Sequence, residues 1–338
     1  MINKLCAFTL PLGGAGGDSA FTLSWRGLWL CLSLVASSCS LIAEKLEDCE
    51  VAPEKHYHFA FEFIESKEDG DNLPLQDVVD DIIIYLFDEQ GNYVNQLAIE
   101  NPIFGQEYDL DTVGVKMPAG VYQFVAWVNR SSSYEVNQIP QTKSTKANLP
   151  QLMLNVVLPA EGVLSEMLPE LMHGAITQQV NLDGEDSIHI PIVRLSNMIN
   201  LTVKGLESTV DEFVFRVSDN NGAYDFNANY LDFQDFSYEA KASMEEGELA
   251  FSQRILRIGE GREPRISLMN AANGNIIYPQ SGDEDNLVEL IKKAYAGRTI
   301  DFDAKHKFDI ELNYNADLSV SITIDGWTIN ESGEVIGE

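Results

Sequence analysis

Apolar and polar residues alternate with a period of two along most of the chain, the pattern of strands that lie with one face on a core. The clearest stretch is 121–128, where Tyr122, Phe124, Ala126 and Val128 fall on one face and Val121, Gln123, Val125 and Trp127 on the other. Both sets are largely apolar, so either face could be the core one. Residues 81–88 are a continuous apolar run bounded by aspartates, Glu89-Gln90-Gly91-Asn92 supplies a turn, and 93–97 completes a hairpin. An aromatic first strand is expected over 56–64, a loop over 69–74, a polar loop over 131–146, and strands over 152–158, 178–182 and 187–192, the last two forming a pair.

A strand over 194–203 opens the second half, and 212–217, 249–258 and 265–269 continue it. One segment changes period. Leu287, Leu290, Ile291, Ala294 and Tyr295 recur at helical spacing, which predicts a short amphipathic helix over 286–296, capped by Asp283 or Asp285. Residues 307–313 and 318–324 form a last hairpin, with Trp327 and Ile329 beyond it. Many short strands and one helix predict an all-β protein of two tandem antiparallel β-sandwich domains, over 55–187 and 188–338, with the short helix in the second. No internal repeat is evident.

The N-terminus has a different texture. Arg26 precedes the apolar run 28–35, and Ala36-Ser37-Ser38 lead directly into Cys39. A positive charge, an apolar core of about ten residues and small residues at the cut are an export signal too short to span a bilayer. A cysteine at the cut makes it a lipoprotein signal, with Cys39 as the acylated residue and 1–38 removed. Residues 1–25 are long for the front of such a signal, so translation is expected to start downstream. An acidic tether over 39–54 follows, and what remains, about 300 residues, has the length of two domains.

The chain carries 22 basic and 53 acidic residues, a formal charge of −31. Nucleic acid is therefore excluded as a partner, because phosphate neutralisation needs clustered Lys and Arg. Solubility and repulsion at a cell surface account for the acidity. Of four cysteines, Cys6 and Cys31 leave with the signal and Cys39 is lipidated, so Cys49 alone remains and no internal disulfide can form.

Catalytic signatures are missing: there is no G-x-S-x-G, H-E-x-x-H or G-x-x-x-x-G-K. His56 and His58 share a strand face but lack a third ligand and read as ordinary strand residues. Asp77, Asp80 and Asp81, and Asp219-Asn220-Asn221-Gly222 with Asp225, do not match calcium-loop spacing and read as turns and strand ends. No enzyme, cofactor, metal or small-molecule substrate is expected. The C-terminal pattern stands apart, with Leu318, Val320, Ile322 and Ile324 alternating with polar residues and Trp327 and Ile329 continuing the series. Such a segment is either an ordinary closing strand or one that engages another subunit, by donation or by docking.

Several of these stretches together resemble the anchor-subunit family of type V fimbriae, the FimB type. They are Cys39 followed ten residues later by Cys49 in an acidic context, Ile84-Tyr85-Leu86-Phe87-Asp88 with Gly91-Asn92-Tyr93, and 118–129 (Pro-Ala-Gly-Val-Tyr-Gln-Phe-Val-Ala-Trp-Val-Asn). His173-Gly174, Arg194-Leu195-Ser196-Asn197, Phe308-Asp309-Ile310-Glu311-Leu312 and Trp327 complete the set. The resemblance implies transthyretin-like sandwiches, an outer-membrane lipid anchor facing the cell exterior, a fimbrial shaft subunit as partner, and a role in tying the shaft to the cell and limiting its length. It also implies that stalk relatives lose an N-terminal strand to an Arg- or Lys-specific protease, whereas an anchor keeps it. Between Cys39 and Asn129 there is no arginine, although Lys45, Lys55 and Lys67 leave a lysine cut open. The rival readings are a fimbrial tip or accessory adhesin, and a surface glycan-binding lipoprotein using Trp127 and Trp327.

Overall fold

A computed structural model of the chain describes residues 57–63, 79–102, 108–109, 119–137, 149–180, 186–206, 212–245, 247–282, 284–296, 298–317, 319–329 and 335–337. The signal, Cys39, the tether, Cys49, His56, Asp77, Asp283 and Leu318 lie outside them. The described residues are all-β apart from a 3-10 turn at Leu149–Gln151 and one α-helix at Leu287–Ala294.

The first sheet has seven strands in the order Tyr93–Glu100, Asp81–Asp88, Gly120–Val128, Met172–Val180, Asp186–Arg194, Tyr57–Phe63 and Tyr108–Asp109. Its pairings are antiparallel except that Tyr57–Phe63 runs parallel to Asp186–Arg194. The ambiguity over the two faces of the Gly120–Val128 strand resolves into burial of both. Tyr122, Phe124, Ala126 and Val128 join Ile82, Ile84, Leu86, Ile188, Ile190 and Ile192 in one core cluster. Val125 and Trp127 join Ile83, Tyr85 and Phe87 in the other, which continues into the second half of the chain. The unbroken apolar run in Asp81–Asp88 has the same cause, since its six central residues are all buried.

The chain changes sheets at Leu195, whose N–H donates to Leu171 O and whose carbonyl accepts from Arg257 N, both at 2.8 Å. The second sheet runs Ser243–Glu245, Glu248–Leu256, Ser196–Lys204, Lys307–Tyr314, Val320–Ile324, Trp327–Ile329, Val335–Gly337. Facing it is a sheet ordered Ile276–Tyr278, Arg265–Asn270, Phe213–Asp219, Phe236–Lys241, Val163–Leu164. Ile199, Leu201, Val203, Phe251, Phe308 and Ile310 from one side meet Phe215, Val217, Tyr238, Ile266 and Leu268 from the other in a shared core. Two further pairings are parallel, between Ser196–Lys204 and Lys307–Tyr314 and between Phe236–Lys241 and Val163–Leu164. The second of these, with a small sheet of Ala223–Asp225, Met153–Val156 and Tyr134–Val136, stitches the two halves together.

Two local expectations are corrected. The polar stretch 131–146 contains the strand Tyr134–Val136, where Tyr134 and Val136 are buried on either side of exposed Glu135; three residues of alternation are too few to stand out in a polar segment. The helix spans Leu287–Ala294, and its N-cap is Asn286 instead of Asp283 or Asp285: the Asn286 side chain accepts from Glu289 N at 3.2 Å. Asp285 is drawn away by the Tyr278 hydroxyl, which donates to its carboxylate at 2.9 Å. The helix stops where Ala296 turns to φ 49°. Asn286→Ala should cost about 1 kcal/mol, read as a lower thermal midpoint. An unchanged midpoint would return the capping role to another residue.

Candidate functional site

The C-terminal strands, where the sequence placed a partner-binding segment, form an ordered ladder. Val320–Ile324 is an interior strand with Lys307–Tyr314 on one side and Trp327–Ile329 on the other, and Ile310 pairs with Ile324, Leu312 with Ile322, and Ile322 with Ile329. Ile322, Ile324 and Ile329 are buried in the chain's own core, while Val320 and Trp327 are partly covered. The hairpin between Ile324 and Trp327 is closed by Asp325 and Gly326 at φ 51° and 82°, the paired positive φ values of the tight turn that Asp-Gly favours.

Asp325 gathers the surrounding polar groups. Its carboxylate accepts from Asp309 N and from the Tyr295 hydroxyl, each at 2.9 Å, and lies 3.4 Å from Lys305 Nζ. Thr323 and Thr328 hydroxyls meet across the hairpin at 2.8 Å. The Arg298 guanidinium sits 3.5 Å from the Trp327 ring centre, covering one face. Beyond this ladder, Val335–Gly337 pairs with Trp327–Ile329 and forms one edge of the sheet among the described residues. The arrangement can accept an added strand at that edge. It can donate Val320–Ile324 only by breaking two ladders and emptying part of the core.

Trp127 is fully buried and offers no ring face for stacking on sugar, while Trp327 is half-buried with one face covered by Arg298. A surface cavity of about 720 Å³ lies between Tyr230, Arg257, Glu260 and the 299–303 segment. Its polar groups are largely engaged with each other: Tyr230 OH donates to Arg257 O at 2.8 Å, and Arg257 pairs with Asp303 at 3.0 Å and donates to Ala228 O. Nearby, Asp219 is buried against Arg262 at 3.1 Å, and burial raises its carboxyl above the usual range. Asp225 accepts from the amides of Asn227 and Asn229 within its own turn.

The stretches that carried the family resemblance have structural duties. Asn129, at φ 59°, accepts from Asp80 N and donates to Glu170 O, both at 2.8 Å. Gly174 has no room for a Cβ, which would lie 2.4 Å from Pro191 O. Arg194 pairs with Glu170 at 2.6 Å, and Asn197 spans Ile258 N and Lys305 O. Sequence reading missed these bracing roles because each depends on a partner distant in sequence.

A family model described as fimbrillin-A associated anchor proteins Mfa1 and Mfa2 matches residues 46–333. Among solved structures, putative polysaccharide binding proteins from Bacteroides thetaiotaomicron align at 18% identity and TM-score 0.68, covering 83% of this chain and all of theirs. A putative adhesin from the same organism aligns at 18% and 0.64, covering 82% of this chain and 99% of its own. The fimbrial anchor protein Mfa2 from Porphyromonas gingivalis aligns at 18% and 0.61, covering 81% of this chain and 99% of its own. No curated protein matches the chain.

Proposed function

The chain belongs to the family of fimbrillin-A associated anchor proteins, and from that premise we propose that it ties a fimbria to the outer membrane through acylated Cys39 and limits the length of the shaft. The observation that carries this reading is the order of Arg26, the apolar run 28–35 and Ala36-Ser37-Ser38 before Cys39, a short way upstream of the family-matched region that begins at residue 46. Acyl chains contribute roughly 0.8 kcal/mol per buried methylene, so a multiply acylated cysteine holds a folded body at a membrane without a spanning helix. The role is attachment, and catalysis has no part in it. Cys39→Ala, in a strain whose wild-type protein is acylated by intact mass, should shift fimbriae from the cells to the medium. Fimbriae that stay attached would favour the tip or accessory reading.

The shaft subunit is the expected partner, and the segment from Leu318 through Val320, Ile322, Ile324, Trp327 and Ile329 to the sheet edge is its contact. Docking is favoured over donation on energetic grounds. Withdrawing Ile322, Ile324 and Ile329 from the core would cost on the order of 5–9 kcal/mol before any new contact formed, whereas adding a strand beside Val335–Gly337 leaves those three side chains in place. Deleting residues 330–338 removes that edge and keeps the hairpin. The truncated protein should fold with an unchanged far-ultraviolet spectrum and fail to enter fimbriae; normal incorporation would remove the edge from the contact.

A further inference from the structure

Unpaired sheet edges are normally kept short, charged or interrupted, because a long regular one is a template for another strand. Among the described residues, the edges at Tyr108–Asp109, Ser243–Glu245, Val335–Gly337, Ile276–Tyr278, Val163–Leu164, Ala223–Asp225 and Tyr134–Val136 are two or three residues long. Tyr93–Glu100 is the longest of the edge strands, eight residues with no Lys, Arg or Pro and a single charge at its last position. Its one bulge lies at the hairpin end, where pairing shifts between Leu86 and Phe87; from Asn95 to Glu100 the register is regular.

The backbone direction follows from two end bonds. Asn101 N donates to Asp80 O at 2.7 Å, and across the central strand Asn129 N donates to Asp81 O at 2.9 Å. In an antiparallel ladder the bonded pairs alternate. Asn95, Leu97 and Ile99 therefore face Asp81–Asp88, and Gln96, Ala98 and Glu100 turn their N–H and C=O groups outward. The Gln96 N–H is covered by its neighbour's Asn95 Oδ1 at 2.8 Å, while Ala98 and Glu100 are exposed. An added strand would lie beside Leu97 and Ile99 on the core-lining face and beside Ala98 on the other.

Charge selects the occupant. Asp80, Asp81, Asp88, Glu89 and Glu100 cluster around the two ends of this hairpin, and a second copy of the chain would bring a formal charge of −31 against −31. We propose that the Asn95–Glu100 edge is a strand-addition site for an extended segment of another protein, apolar at alternate positions and basic at its ends. This goes beyond the anchoring reading and does not rest on it, because it is tested on the purified protein without fimbriae.

The probe is the end-blocked peptide Lys-Thr-Val-Thr-Val-Thr-Val-Lys, and the readout is amide hydrogen exchange over residues 93–101 of the protein as purified from its membrane or soluble fraction. The peptide should slow exchange there roughly tenfold or more, and versions with glutamate for lysine or with alternate amides N-methylated should not. Ala98→Pro removes only an outward N–H and is compatible with an edge strand. This variant should keep the wild-type thermal midpoint and lose the protection. The proposal is overturned by slow exchange at Ala98 and Glu100 without peptide, by equal protection from the N-methylated peptide, or by concentration-dependent self-association that protects the same amides.

Discussion

Replacing Trp127 with alanine should lower the stability of the folded chain by about 3–5 kcal/mol, the cost of emptying a fully buried aromatic site. Trp127 is 0% exposed on a central strand, pairs in register with Ile83 and His173, and packs its ring 4.6 Å from the His173 ring. Its core cluster takes in Leu154 and Leu171 from the first half and Tyr224, Phe236 and Leu256 from the second. The loss should therefore appear as a lower urea midpoint of one transition in far-ultraviolet circular dichroism. Trp127→Phe should cost less than the lost volume suggests, because the buried indole N–H has no hydrogen-bond partner among the described residues and phenylalanine leaves none to desolvate. A separate early transition confined to the first half would contradict the continuity of this core.

His173 should make the protein lose about 3 kcal/mol of stability between pH 6.5 and pH 4. Burial lowers its pKa from 6.5 to about 4, and Arg257 pushes the same way, while the Phe226 carbonyl and Asp225 partly offset them. Nε2 lies 3.0 Å from Phe226 O, so the neutral ring donates its single proton to that carbonyl and leaves Nδ1 bare. Below pH 6.5 the unfolded chain binds a proton that the folded chain refuses. The stability supplied by the neutral ring is thus complete above pH 6.5, falls as pH drops, and levels off below about 4. Asp81 and Asp219, raised by burial, act with the opposite sign, so the contribution is read as a difference. His173→Gln retains a donor for Phe226 and should flatten the wild-type-minus-variant slope across this window; parallel curves would assign the acid sensitivity elsewhere.

Attachment and acid sensitivity draw on separate parts of the chain. The anchoring reading depends on Cys39 and on the C-terminal ladder around Asp325, whereas Trp127 and His173 brace the join between the halves. Substitutions at the join should therefore alter how much folded protein accumulates, without altering the edge proposed for docking.

The sequence by itself determined what depends on near neighbours. Period-two alternation and the bounded apolar run at 81–88 marked the main strands, helical spacing marked the segment around Leu287 and Ile291, and the charge, apolar and small-residue order marked Cys39 as the expected acylation point. Only the tertiary structure decided which strands are neighbours and which faces are covered. Both sides of Gly120–Val128 are buried because sheets of different halves meet there, and Tyr134–Val136 is a strand because Met153–Val156 lies beside it. Asn286 caps the helix because Tyr278 holds Asp285, and Val320–Ile324 is an interior strand because Trp327–Ile329 folds back along it. A strand carries its alternation in its own residues, but its pairing and its exposure belong to partners brought in from elsewhere in the chain, and local pattern holds no record of them.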